Sequence, residues 1–181
     1  MKRRMTIDEL PTATPAAGGD PDLDDWRTFL RAHALLSRRL DEELRAEQGM
    51  SLAEYDALVQ LAATPGRRLR MNALADRVLL SRSGITRLVD RLVADGLVCR
   101  TQCPSDARGA EAVLTDAGVD RLRTASATHL RGVERYFLEP LSAAELKGLG
   151  RSLARLVGRL RGQPGREAAE FAADDADGTD A

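Results

Sequence analysis

The stretch "LSRSGITRLVDRLVADGLV", residues 80–98, presents two unlike faces. Ile85, Leu88, Val89 and Leu92 recur at i, i+3, i+4 and i+7, the spacing that lays one apolar stripe along a helix. Ser81 supplies a hydroxyl N-cap, and Gly96 after Asp95 supplies a left-handed stop. The opposite face carries Arg82, Ser83, Thr86, Arg87 and Arg91, with Asp90 as its one acid. The spacing therefore predicts a helix that buries one side and offers hydroxyls and arginines on the other.

Working outward, "RLRMNALADRVLL" predicts a short helix of about eight residues, then a turn at Leu79–Leu80. After Gly96 the period changes. "LVCRT" (97–101) and "EAVL" (111–114) are β-favouring runs on either side of the polar loop "QCPSDARGA", which together predict a hairpin with a long tip. Upstream, Ser51 and Glu54 form a capping box, with Met50 and Tyr55 as its hydrophobic staple, opening a helix to about Ala63. Before it, Trp26, Phe29, Leu30, His33, Leu36, Leu40 and Leu44 keep a helical period from Asp24 to about Glu47, and Gly49 ends that helix. Downstream, Thr115 and Asp116 start a helix striped by Val119, Leu122, Leu130, Val133 and Phe137, which Pro140 ends. A second capping box, Ser142 and Glu145, opens a last helix lined by Leu146, Leu149, Leu153, Leu156 and Leu160.

Helix, tight turn, helix and β-hairpin make a winged helix-turn-helix, whose second helix fits the major groove of B-DNA. The predicted fold is mainly α: a winged helix-turn-helix lobe at about 51–115, with helices at 24–47 and 116–160 as a dimerisation region. Residues 1–21 and the acidic 161–181 are expected to be disordered tails flanking one domain at 22–160. Ser81, Ser83 and Thr86 can reach base edges and phosphates. Arg82 and Arg87 can take phosphates or fork onto guanine, and Arg91 shares their face. Arg108 sits at the hairpin tip, where a guanidinium can enter the minor groove, and Asp106 can hold its direction. Charge agrees with this placement. The whole chain carries 27 basic and 28 acidic residues, yet residues 67–108 hold nine arginines against four aspartates, a local net charge of +5. Residues 161–181 hold two arginines against six acids, a net −4.

The run "SRSGITRLVDRLVADGLVCRTQCPSDARGAEAVLTDAG" resembles the MarR family of bacterial transcriptional regulators. It shares the Ser-rich start of the recognition helix, T-R-L-V-D-R-L, G-L-V, and a D-x-R wing joined to L-T-x-x-G; "SLAEYDALVQLA" resembles the family's second helix. The similarity spans about residues 24–160. It implies an all-helical dimer interface, regulation by a small molecule or by oxidation, and a DNA surface at Ser81, Ser83, Thr86, Arg87 and Arg108. The expected function is a ligand-responsive homodimer that represses transcription from an inverted-repeat operator in double-stranded DNA. The alternative is a winged helix used for protein–protein contact, which has no need of a +5 segment.

Trp26, His33 and Tyr55 lie on the two helices nearest the junction of lobe and interface, and would suit a small aromatic acid as effector. Their plainer reading is core or interface. His33 and His129, the only histidines, are too few for a zinc site. A buried Cys99 and a loop Cys103 are expected, with a redox switch as the sharper alternative. No phosphate loop or nucleophile motif is present, so neither catalysis nor a cofactor is expected. Two cysteines, no signal-like apolar run and no membrane-length segment point to the cytoplasm.

Overall fold

The computed structural model describes residues 21–103 and 106–161, apart from the side chains of 21–22 and 103–109. Residues 1–20 and 162–181, where the tails were expected, lie outside the described residues. Helix α1 spans Pro21–Gln48, opened by a proline whose missing N–H is no loss in a first turn. Gly49, at φ +60°, stops it. Helix α2, Leu52–Ala62, starts with the expected reciprocal box: the Glu54 N–H donates to Ser51 Oγ (3.2 Å) and the Ser51 N–H to Glu54 Oε2 (2.9 Å). Asp41 joins the two helices by accepting from the Leu52 N–H at 2.8 Å, which puts a carboxylate at the positive end of α2.

Strand β1, Arg68–Arg70, is followed at once by α3, Met71–Val78, and α4, Arg82–Ala94. Strands β2, Val98–Cys103, and β3, Asp106–Leu114, form the hairpin. The sheet is antiparallel with order β1-β3-β2, pairing Leu69 with Ala112 and Val98 with Leu114. Two sequence expectations are corrected here. Residues 68–70 pair as a strand rather than preceding a helix as loop, and the hairpin ladder reaches through Gln102 and Ala110 into the stretch read as a long polar tip. A ribbon solvated on both sides can pair its backbone without an apolar pattern to announce it.

The core lies under α4. Ile85, Leu88, Val89 and Leu92 are all buried against Leu58, Leu61, Leu74 and Val98, as the stripe predicts. Helix α5 runs Asp116–Val133, continues as a π-helical turn, Glu134–Leu138, and is followed by α6, Ala143–Leu160. Its buried positions are Gly118, Ala125, Thr128 and Gly132, while Leu130 of the expected stripe is exposed. Small side chains let α1 approach: a Cβ on Gly132 would lie 2.7 Å from Leu40 Cδ2. Cys99 is exposed rather than buried, because strand alternation turns it outward after the buried Val98.

The L-T-x-x-G pattern, residues 114–118, has a mechanical reason. The Thr115 hydroxyl donates to the Gly96 carbonyl (2.8 Å) and accepts from the Gly118 N–H (3.0 Å), clamping the start of α5 to the exit of α4. A Cβ on Gly118 would sit 2.2 Å from the Leu97 carbonyl oxygen and 2.6 Å from Leu114 Cδ1. Gly118→Ala should therefore destabilise the fold by about 2 kcal/mol despite better helix propensity. Gly132→Ala, which meets only the flexible ends of Leu40 and Glu43, should cost less. Urea unfolding midpoints of the two variants check this order.

Candidate nucleic-acid interface

Helix α4 begins at Arg82 with Ser81 as N-cap, whose Oγ accepts from the Gly84 N–H at 3.1 Å. Ser83 Oγ lies 3.2 Å from Ser81 Oγ, so the two hydroxyls form one polar tip at the helix start. The Thr86 hydroxyl donates back to the Arg82 carbonyl (2.8 Å), which leaves its oxygen able to accept from outside. No acidic residue occupies the first turn, so the positive end of the helix dipole is uncompensated. Ser81, Arg82, Ser83, Thr86 and Arg87 are all exposed on one surface.

The arginines of α4 divide into two kinds. Arg91 is taken up by Glu54, Nε to Oε1 at 2.7 Å, and so ties α4 to the capping box of α2. Arg82 and Arg87 have no hydrogen-bond or ion-pair partner among the described residues. The acid on this face is also occupied: Asp90 pairs with Arg100 of β2 at 2.6 Å, and Arg100 donates to the Thr86 carbonyl at 3.2 Å. This tie from hairpin to helix was not assigned from sequence. Its only local signal was an arginine on a predicted strand, with nothing to name the partner. Asp106 lies at the start of β3 and Arg108 within it, beside the hairpin tip; their side chains lie outside the described residues.

Glu54 is the hinge of this arrangement. Burial alone would push its carboxyl up, but hydrogen bonds from Arg91 and from the backbone and hydroxyl of Ser51 outweigh it and hold the group below the ordinary glutamate range. A carboxyl depressed on folding adds stability that is present above its unfolded pKa and is lost as pH falls through the folded value. Glu54→Gln should thus lose about 1 kcal/mol at neutral pH. The gap to the wild type should close once acid protonates Glu54, as urea titrations at about pH 7 and about pH 3 would read.

The three residues expected to bind an effector do not share one place in the chain. Trp26 and His33 stand exposed on the N-terminal half of α1, joined through Phe29 in a ladder of rings with centroids 5.9 and 6.5 Å apart. Tyr55 is buried, its ring 4.5 Å from that of His129 and its hydroxyl 3.3 Å from Ser126 Oγ. Asp41 marks where α1 meets α2, and His33 and Trp26 lie about 12 and 22 Å further along the helix axis. A cavity of about 220 Å³ does lie behind the end of α4, but its walls are Gly49, Met50, Glu54, Leu92, Asp95, Leu97 and Arg121. Burial holds His129 below its ordinary pKa, against the pull of Asp56. Among the described residues no group of histidines, cysteines and acids could hold a metal, and no helix is long and apolar enough to cross a membrane.

Comparison with known proteins meets this geometry. The model of the MarR family matches residues 48–109, from the end of α1 into β3. AbsC of Streptomyces coelicolor, a MarR family transcriptional regulator of solved structure, is 33% identical, with a TM-score of 0.73 over 82% of this chain and 100% of its own. The chain belongs to the MarR family. Another MarR family regulator, Sco3205 of S. coelicolor, solved in complex with DNA, is 37% identical with a TM-score of 0.72 over 76% of this chain and 90% of its own. The HTH-type transcriptional regulator YkoM of Bacillus subtilis is 30% identical over 112 residues, 62% of this chain and 71% of the relative. This MarR family chain thus has a winged helix-turn-helix fold, in a family of transcriptional regulators rather than enzymes.

Proposed function

We propose that this MarR family protein binds a double-stranded DNA operator as a homodimer in the cytoplasm and represses transcription until a small effector releases it. The observation that carries the DNA reading is the outer face of α4, where Arg82 and Arg87 stand unpaired among the described residues beside the exposed hydroxyls of Ser81, Ser83 and Thr86. Two free guanidiniums at an uncompensated helix N-terminus match phosphates and guanine edges in a major groove. Arg108, steered by Asp106, is assigned to the minor groove, and Arg91 to a supporting role through Glu54. A relative in complex with DNA supports the same docking.

The homodimer is proposed from α1 and α6. Leu23, Trp26, Phe29 and Leu30 of α1, with Leu156, Val157 and Leu160 of α6, leave a broad apolar surface uncovered. Helix α6 leans only lightly on the rest of its own chain. Contiguous apolar surface of this extent marks an interface. An aromatic acid as effector then needs the second copy, to bring an exposed Trp26 and His33 near Tyr55. Selection of bound duplexes from a random library by the full chain tests the central reading. An inverted repeat with half-sites about 10 bp apart supports it, and recovery of no duplex, or of a single half-site, contradicts it.

A further inference from the structure

Among the described residues, the exposed large hydrophobics fall on α1, on α6 and on α5 with its π-turn, with two exceptions in the winged lobe. Val93 is marginal. Leu79 is 90% exposed. It is also one of two non-glycine residues with a left-handed backbone, at φ 57° and ψ 38°. The other, Arg67, has local compensation: its N–H donates to the Thr64 carbonyl at 2.8 Å and its guanidinium to Asp116 at 3.0 Å. Leu79 only ends α3, donating its N–H to the Ala75 carbonyl, a bond that glycine would make without crowding from a Cβ. The leucine therefore helps neither the turn nor the core. Strain held without a structural return points to use elsewhere.

Position says where. The next residue, Leu80, turns inward against the core, and Ser81 caps α4, so Leu79 lies within about 7 Å of that cap along the chain. It extends the exposed strip of Ser81, Arg82 and Ser83 by one apolar group. The apolar feature a major groove offers at a base edge is the C5 methyl of thymine. We infer that Leu79 is a specificity residue that packs on a thymine methyl at the edge of the site read by the start of α4. This rests on the DNA-binding reading above.

The test uses the full chain and a duplex selected with it from the random library, made once with thymine and once with uracil, which lacks only the methyl. Wild type, Leu79→Gly and Leu79→Met are compared on both, with urea midpoints alongside. The expected result is that Leu79→Gly loses about fourfold in affinity for thymine DNA, the scale of one buried methyl. Wild type should lose a similar factor on uracil DNA. Leu79→Gly should be indifferent to that exchange, Leu79→Met should keep most of the affinity, and the glycine variant should unfold at no lower urea concentration. Undiminished affinity of Leu79→Gly, an equal uracil penalty in both proteins, or a lowered midpoint accompanying the loss would overturn the assignment. A wild type that selects no duplex would instead overturn the DNA reading itself.

Discussion

Replacing Arg82 and Arg87 together by alanine should lower affinity for the selected duplex by about a hundredfold at physiological salt. Each guanidinium that contacts phosphate or guanine contributes about 1–3 kcal/mol, and two contacts at the low end give that factor. The fold should be indifferent, since neither side chain touches a described residue through a hydrogen bond or ion pair and both are exposed. Arg91→Ala behaves differently in kind. Its guanidinium is held by Glu54, so its loss should be read in the urea midpoint as well as in binding. A double variant of full affinity would remove α4 from the interface.

The other large effect concerns assembly. Leu156→Asp with Leu160→Asp places two carboxylates on the surface assigned to the second copy, at positions 45% and 78% exposed in the single chain. The helical content of each chain should survive, because these side chains have little to leave behind. Light scattering should then report a monomer where the wild type gives a dimer. DNA affinity should fall by about a thousandfold, because joining two half-site contacts in one molecule is worth about 10²–10⁴. A variant that stays dimeric would place the interface elsewhere, and a monomeric variant with full affinity would show that one lobe suffices.

Local signals carried the reading of this fold a long way. The stripe of Ile85, Leu88, Val89 and Leu92 and the capping boxes at Ser51 and Ser142 depend on residues within one or two turns, and all are found as read. What stayed hidden is tertiary. Strand β1 is three residues long and exists only because β3, about forty residues later, supplies its ladder. The small-residue seam of α5 follows from how closely α1 approaches Gly132, which no periodicity in α5 reports. The exposed half of α1 shows the reverse: a helical period marks a face for burial without naming what covers it.

The same divide runs through the candidate site. Which residues face outward on α4 was legible, because a helix of known phase fixes it. Which arginines are free was not. Glu54 lies 37 residues before Arg91, and Arg100 lies on a different element from Asp90. Only the folded chain sorts Arg91 and Arg100 as structural ties and leaves Arg82 and Arg87 open. Tyr55 and Trp26 looked alike as aromatic side chains near a junction, yet one is buried beside His129 and the other is in solvent.

The central claim is that free arginines on α4 bind DNA through its phosphates and bases. Titration of the full chain against a fluorescent selected duplex, from about 50 to about 200 mM salt, tests it most directly. The account predicts that log affinity falls linearly with log salt, with a slope shallower by about 2 in the Arg82→Ala, Arg87→Ala variant. A slope that is flat, or the same for wild type and variant, would contradict it.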